Sequence, residues 1–162
     1  FLMSSEFETT DTSWPIVTSH DAPSTVGVGL TRYIALCGNA GATTTENDAQ
    51  QDANVAFTWS KLAAFVTANT IVEASVIRSR IDGANGNQVV SCTGLTTGYF
   101  EDASNTDSVT AANEINYSLV TGATGTTITI SKFASLGQIT VGGAALNIIP
   151  LLIAQRRMRM AA

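Results

Sequence analysis

The sequence predicts an all-β protein, an antiparallel sandwich or barrel of about eight strands. Hydrophobic residues make up 44% of the 162 residues and charged residues only 13%, whereas an ordinary soluble domain carries roughly 25% charged residues. Thr, Ser, Asn and Gly cover the rest of the surface, and these residues favour strands and turns over helices. Short runs that alternate with period 2 follow one another with turn residues between them. We expect one domain with arms at both ends.

Residues 1–29 predict an N-terminal arm. Isolated large residues such as Phe7, Trp14 and Ile16 stand there among Ser, Thr, Asp and Pro without a sustained period. Isolated aromatic residues commonly anchor such an arm on its own domain or on a neighbouring subunit, so Trp14 is a candidate for contact with a partner. The first strand is predicted at 30–38, and a long polar loop at 39–54.

The central part of the sequence predicts three strands. In 55–67, Phe57 and Trp59 alternate with small or polar residues, and the alternation slips at Ser60-Lys61, which predicts a bulge or bend. Beyond the slip, the strand is expected to continue through Leu62, Phe65 and Val66. Residues 71–83 and 88–94 predict two further strands. The segment 82–87, DGANGN, predicts a tight hairpin turn between them, since Gly and Asn accept positive φ.

The last strands are predicted at 113–122 and 127–136. Ile115, Tyr117 and Leu119 alternate with polar residues in the first, and Ile128 and Ile130 do so in the second. The segment before them, TTGYFEDASNTDSV (96–109), is predicted to be a loop that joins two strands. These elements place the β-domain at 30–141.

Residues 142–162 predict a C-terminal arm that is apolar at first and then basic. Gly142-Gly143 forms a joint, and Pro150 would break or begin a helix. The apolar run is too hydrophobic for a free tail and needs cover from its own domain or from another subunit. The candidate partner-interface residues of the two arms are Trp14, Ile148, Ile149, Leu151, Leu152, Arg156 and Arg157.

The charge distribution argues against nucleic-acid binding. Residues 1–114 carry four basic and thirteen acidic side chains, a net charge of −9, while 115–162 carry four basic side chains and no acid. Nucleic-acid binding needs a basic face that releases counterions from phosphates. We therefore expect no direct nucleic-acid partner. We also expect no membrane span, because the longest apolar run is interrupted by Asn147 and Pro150.

The residues needed for catalysis or for a structural zinc ion are scarce. His20 is the single histidine and lies in the predicted arm, and no Cys-x-x-Cys occurs. Cys37 and Cys92 stand in apolar, strand-like contexts and are expected to be buried thiols, although a disulfide between them stays open. We expect no enzymatic activity and no cofactor.

The densest acidic group is Glu101, Asp102 and Asp107. Calcium takes six to eight oxygen ligands, and the spacing of these acids is not that of a helix–loop–helix calcium loop. A loosely bound cation stays an alternative. The preferred interpretation is structural: short acids and Asn105 cap the loop through backbone hydrogen bonds, while Gly98 turns the chain and Tyr99 and Phe100 pack.

The order of these motifs resembles a family of small β-domains in virion proteins of tailed bacteriophages. The resemblance covers roughly residues 30–135 and consists of a strand with Arg, an Asp-Gly hairpin, a TG-x-F-E-D motif, a D-x-V turn, a Tyr-bearing strand and a Thr/Ile strand. Asn113 stands where the family usually has Gly, so the turn there is expected to differ. The matching positions are Arg78, Arg80, Asp82-Gly83, Thr97-Gly98, Phe100–Asp102, Asp107–Val109, Ala112–Asn116, Tyr117 and Thr127–Ile130.

This resemblance implies a jelly roll related in shape to the tumour-necrosis-factor fold, often a homotrimer. It implies a decoration (cement) subunit on the exterior of the capsid, with the major capsid protein and neighbouring virion proteins as partners. The alternative role is a receptor- or glycan-binding tip of a tail fibre or spike, in which Tyr99, Phe100 and Asp102 would face the ligand. One domain with two arms and no fibre repeat favours decoration.

Overall fold

The structure is a computed structural model that describes the backbone of residues 13–20, 24–37 and 41–140 and the side chains of residues 24–37 and 41–139. Contacts between residues divide the chain into two compact units. One is Pro15–Ile139, and the other consists of Phe1–Trp14 and Thr140–Ala162. Nearly all of the second unit lies outside the described residues.

The described part of the chain consists mainly of β-strands, which confirms the predicted all-β class. One 3-10 turn, Glu46–Asp48, lies between the third and fourth strands. The strands are β1 (Ser13–His20), β2 (Ser24–Gly27), β3 (Thr31–Ile34), β4 (Gln51–Asp52), β5 (Phe57–Asn69), β6 (Ser75–Ile81), β7 (Ala84–Cys92), β8 (Gly98–Glu101), β9 (Thr106–Val109), β10 (Glu114–Val120) and β11 (Thr127–Thr140).

The strands form two sheets that pack face to face as a sandwich. Sheet A has the order β1-β11-β5-β8, with β2 also paired to β11 and β9 also paired to β5. Sheet B has the order β3-β10-β6-β7, with β4 also paired to β10. The pairings of strands β2 to β11 are antiparallel.

Several of the short strands share one edge of a longer strand, so the sandwich has eight strand positions. Strands β1 and β2 occupy the first position, β3 and β4 the second, and β8 and β9 the sixth. Strands β5, β6 and β7 are the third to fifth positions, and β10 and β11 are the seventh and eighth. The order of positions is therefore 1-8-3-6 in sheet A and 2-7-4-5 in sheet B.

An aromatic group fills the centre of the sandwich. The rings of Trp59 and Tyr117 lie 5.5 Å apart and those of Tyr117 and Phe133 lie 5.9 Å apart, measured between centroids. The Trp59 indole N–H donates to Ser135 Oγ at 2.6 Å, so the polar atom of the largest core side chain is satisfied. Apolar side chains from both sheets surround this group, including Ile34, Leu62, Val66, Ile77, Val90, Leu119, Ile128 and Ile130.

The predicted slip in the long strand β5 is confirmed. Two residues of β5, Lys61 and Leu62, stand opposite one residue of β11 where the pairing shifts between Ala134 and Leu136, and Lys61 adopts a φ of 58° there. Such a bulge re-aims the residues that follow it. The prediction that Leu62, Phe65 and Val66 continue the strand is confirmed. Alternation beyond the bulge buries Leu62 and Val66, whereas Phe65, at an odd spacing from Leu62, lies on the opposite face and is 42% exposed.

The hairpin between β6 and β7 is tighter than predicted. Ile81 pairs with Ala84, so the turn consists of Asp82 and Gly83 alone, with φ values of 50° and 75°. Positive φ at both central residues defines the hairpin turn whose twist matches the flanking strands. The rest of the predicted turn belongs to β7, whose pairing with β6 shifts between Arg78 and Arg80.

Three predicted loops or irregular segments contain strands. Strands β1 and β2 lie within 1–29, the segment for which the sequence shows no sustained period, and β4 lies within the predicted polar loop 39–54. The predicted loop 96–109 contains β8 and β9, which pair successively along β5. These strands have two to eight residues, and the shortest are too brief for a period-2 pattern to identify them.

Arg80 fixes the segment 41–54 to the β6–β7 hairpin. Its guanidinium donates to the two carboxylate oxygens of Glu46 at 2.8 and 2.9 Å, and to Asn85 Oδ1 and the Gly83 carbonyl. The same group lies over the ring of Tyr33, 5.8 Å from its centroid. A bidentate pair of this kind holds geometry better than a single ion pair, so Arg80 acts as a surface clamp.

Candidate functional site: the acidic segment and the outer face of sheet A

The acidic segment lies at the corner where the two sheets meet. Asp102 follows β8, and Asp107 lies in β9 directly opposite Trp59 of β5. Since Trp59 points into the core, Asp107 also points inward, towards β6 and β7 of sheet B. Both carboxylates are buried, whereas Glu101 is exposed. Two of the three acids of the segment are therefore buried, and the third is exposed.

Asp102 is fully engaged by hydrogen-bond donors. Its Oδ1 accepts the backbone N–H groups of Ser104 and Asn105 at 3.1 and 3.0 Å. Its Oδ2 accepts the Val89 backbone N–H at 2.7 Å and the Asn105 side-chain amide at 2.8 Å. Burial acts to raise the pKa of Asp102, but the donors from Asn105, Val89 and Ser104 outweigh it and lower this pKa to about 2. The carboxylate caps the turn and also holds an edge amide of β7.

Asp107 is the centre of a second buried network. It accepts the Ser79 hydroxyl at 2.6 Å, the Asn87 backbone N–H at 2.6 Å and the Gln88 side-chain amide at 3.0 Å. Gln88 is fully buried, and its Oε1 accepts the Leu62 backbone N–H at 3.0 Å, next to the β5 bulge. We call Ser79, Gln88, Asp102 and Asp107 the polar seam. It joins both sheets through hydrogen bonds at one corner of the sandwich.

Gly86 makes the close approach of the polar seam possible. A Cβ at this position would lie 2.3 Å from Ser79 Oγ and 2.8 Å from both carboxylate oxygens of Asp107. These distances are shorter than van der Waals contact, so any side chain would push the network apart. An isolated Gly within a strand is a known sign of a bulge or a close approach, and here it is both.

The chemistry available to the acidic segment is limited by these partners. Glu101 accepts the Tyr99 hydroxyl at 2.6 Å, and this bond raises the pKa of Tyr99, as do desolvation and the charge of Glu101 to smaller degrees. Within the described residues, no three His, Cys, Asp or Glu side chains are grouped so that they hold a metal ion. The prediction that the short acids cap the loop through backbone hydrogen bonds is confirmed for Asp102, whereas Asp107 accepts its hydrogen bonds from β6 and β7. The prediction that Tyr99 packs is wrong, since its side chain is exposed.

The outer face of sheet A carries an apolar groove of about 240 Å³. Two rows of cross-strand neighbours form it. Lys132, Phe65 and Tyr99 face one another across three strands, and Ala134, Ala63 and Glu101 form the next row. The small side chains of Ala63 and Ala134 form the floor of the groove, and the larger rings of Phe65 and Tyr99 form its wall. We call this feature the outer groove.

The aromatic wall of the outer groove is exposed, 42% for Phe65 and 63% for Tyr99. Exposed apolar surface that is contiguous and rimmed by polar groups is typical of an interaction site. Glu101 stands at one corner of the two rows, and Lys132 stands at the diagonally opposite corner. The sequence analysis missed the groove, because the groove is formed by residues of three different strands.

The two cysteines lie in different environments and both are free thiols. Cys92 is buried in the core, as predicted, and burial raises its pKa to about 11. Cys37 is exposed, so the prediction that it is buried is wrong. Its Sγ lies 3.4 Å from the side-chain nitrogen of Gln51. The disulfide that the sequence left open is absent from the structure.

The remaining sequence-predicted residues lie outside the described side chains. The backbones of Trp14 and His20 belong to β1, and their side chains are not described. The candidate interface residues of the C-terminal arm lie outside the described residues altogether, namely Ile148, Ile149, Leu151, Leu152, Arg156 and Arg157.

The chain matches no protein-family model, and no curated protein matches it. Among the described residues, no helix is long and apolar enough to cross a membrane.

Proposed function

We propose that this chain is a structural subunit of a tailed-bacteriophage particle: a jelly-roll decoration (cement) protein that forms homotrimers and binds the outside of the capsid. The observation that carries the proposal is the order of the eight strand positions, 1-8-3-6 and 2-7-4-5. This order supports the jelly roll that the sequence resemblance implies.

The strand order supports a jelly roll because its pairings are nested. The first position pairs with the eighth, the second with the seventh, the third with the sixth and the fourth with the fifth. A long antiparallel hairpin that rolls up on itself gives this arrangement, with two Greek keys in two sheets. Capsid and lectin domains both use this architecture, so fold alone does not choose between assembly and ligand binding.

The polar seam favours an assembly role over a catalytic one. The oxygens of Asp102 and Asp107 accept seven hydrogen bonds from protein groups, which leaves these carboxylates occupied. A general acid or base needs a free lone pair or proton directed at a substrate. In our proposal the acids position strands and take no part in a reaction.

The outer groove supports assembly directly. It presents exposed aromatic surface with charges at two corners, which is the composition of the central part of many protein–protein interfaces. A decoration protein needs such surfaces for its neighbours and for the capsid.

A receptor- or glycan-binding tip is the second candidate, and the exposed ring of Tyr99 favours it, since aromatic rings stack on sugars. In that role Asp102 and Phe100 would also face the ligand. Asp102 is buried with its acceptors filled, and Phe100 is half-buried against the core. Only one of the three residues is therefore available to a ligand, which favours decoration.

Co-sedimentation with undecorated phage heads tests the proposal. We expect the protein to pellet with heads at a saturable stoichiometry, and to remain in solution when the heads already carry their decoration protein. Failure to pellet with undecorated heads would refute the decoration role. Light scattering tests the trimer, for which a mass near three times 16.9 kDa is expected. A monomer at high concentration contradicts it.

A further inference from the structure

We propose that the outer groove takes the apolar part of the C-terminal segment, residues 148–153, from a second copy of the chain. The inference deepens the self-assembly part of the proposed function by naming both partners of one contact. It rests on the match between a described groove and a sequence segment of the same chain.

The groove and the segment match in apolar character and size. The groove has a floor of Ala63 and Ala134 and a wall of Phe65 and Tyr99, in a volume of about 240 Å³. The segment 148–153 reads IIPLLI and carries no polar side chain. One or two Leu or Ile side chains fit a cavity of this volume, and full burial of each contributes about 1.5–3 kcal/mol.

The segment and the wider surface of the chain are complementary in charge. The apolar run is followed by Arg156, Arg157 and Arg159, and residues 142–162 contain no acid. Lys132 lines the groove and Glu101 lies beside it, so the attraction comes from the chain as a whole, in which residues 1–114 carry a net charge of −9. A basic sequence that follows an apolar anchor is thereby attracted to an acidic body, which favours one direction of binding.

Pairwise disulfide trapping tests the contact in the full-length chain. The background variant Cys37→Ser removes the exposed thiol and keeps the buried Cys92. Ala134→Cys then places a thiol on the groove floor, and Leu151→Cys places one in the segment, each in a separate protein. The two proteins are mixed at about 10 µM and oxidised gently. Val120→Cys is the matched control, because Val120 is exposed on the outer face of sheet B.

We expect a disulfide-linked pair of chains near twice 16.9 kDa from the Ala134→Cys and Leu151→Cys mixture. It should form on the order of 100-fold faster than with the Val120→Cys control, because bound thiols meet at about millimolar effective concentration. Equal rates would overturn the groove as the binding site. A second variant, Ala134→Trp, fills the floor and should lower the oligomeric mass, and an unchanged mass counts against the contact.

A double variant that carries Ala134→Cys and Leu151→Cys in one chain shows whether the bound segment comes from the same chain or from a second copy. Our proposal expects links between chains on dilution from the oligomer, whereas a bridge only within one chain would overturn the second copy as donor. The result is independent of the capsid assay. Trapping without binding to heads refutes the decoration role and leaves this contact standing, while binding to heads without trapping refutes only the contact.

Discussion

Asp102→Asn tests whether the polar seam holds the corner of the sandwich. The substitution keeps the size of the side chain and one oxygen, which continues to accept the turn amides of Ser104 and Asn105. The new amide group replaces the oxygen that accepts from Val89 N–H and from the Asn105 side chain. The new amide N–H group then faces two other donors, the Val89 N–H and the Asn105 side-chain amide, so the Val89 N–H at the edge of β7 loses its acceptor.

The expected loss of unfolding free energy is about 2–4 kcal/mol at pH 7. A half-buried amide left without an acceptor costs roughly 1–3 kcal/mol, and a hydrogen bond to a charged group is worth about 1.5–3 kcal/mol. The pKa gives a second route to this number. The pKa of Asp102 lies at about 2 in the folded protein, against 3.8 for an unperturbed Asp side chain, and a difference of this size corresponds to about 2 kcal/mol.

The pH dependence follows from the direction of the shift. Because the folded-state pKa lies below the unfolded one, the stabilisation is present above about pH 4 and is lost as the pH falls through about 2. The difference between wild type and Asp102→Asn should therefore shrink by roughly 1.5 kcal/mol between pH 7 and pH 2.5.

Urea unfolding followed by tryptophan fluorescence measures this difference, since Trp59 is buried in the core. Glu101→Gln is the matched control, because Glu101 is the adjacent acid and accepts a hydrogen bond from the exposed Tyr99 hydroxyl. Its effect should stay within about 0.5 kcal/mol. An Asp102→Asn loss as small as that of the control, or a loss that is the same at pH 2.5 as at pH 7, would refute the role given to the seam.

Three further predictions concern other parts of the described structure. Gly86→Ala should lower the unfolding free energy, measured in urea, by at least about 2 kcal/mol. Gly41→Ala is the control: a Cβ there meets open space, so the unfolding free energy should change by no more than about 0.5 kcal/mol. Equal effects of the two substitutions would contradict the close packing at the seam. A thiol reagent should modify Cys37 in the native protein and Cys92 only after unfolding, and a count of zero native thiols would show a disulfide instead. Glu46→Gln should lower the unfolding free energy by about 1 kcal/mol and remove the salt dependence that the Arg80–Glu46 ion pair contributes to it. A variant whose melting temperature and salt dependence are both unchanged would contradict the role of the Arg80 clamp.

The sequence predicted those features that depend on neighbouring residues. The Asp82-Gly83 turn and the slip at Ser60-Lys61 were found because positive φ and a break in alternation are local properties. The burial of Ile115, Tyr117 and Leu119 followed from alternation within one uninterrupted strand. Local signals of this kind remain valid whatever the chain packs against.

The features that were missed depend on residues far apart in the chain. The donors to Asp107 come from positions 19 to 28 residues earlier, so no spacing within 96–109 reveals that this acid is buried. The sequence placed Leu62, Phe65 and Val66 in one strand without assigning a face to each residue, and alternation puts Phe65 on the face opposite to Leu62 and Val66. The outer groove needs three strands side by side, and sequence periodicity describes one strand at a time.

The pairing of β2 with β11 determines when sheet A can be completed during synthesis of the chain. Thr25 and Thr129, whose hydroxyls lie 2.9 Å apart, are 104 residues apart in the chain, so sheet A stays unfinished until nearly all of the described residues have left the ribosome. At roughly 5–20 residues per second, that delay lasts about 5–20 seconds. Before then, β6 and β7 can already pair as a hairpin and β8 and β9 can pair with one edge of β5, while the other edge of β5 still lacks β11. A nascent chain interrupted before β11 would therefore leave one edge of the Trp59 strand unpaired, and an unpaired strand edge of this kind is prone to aggregation.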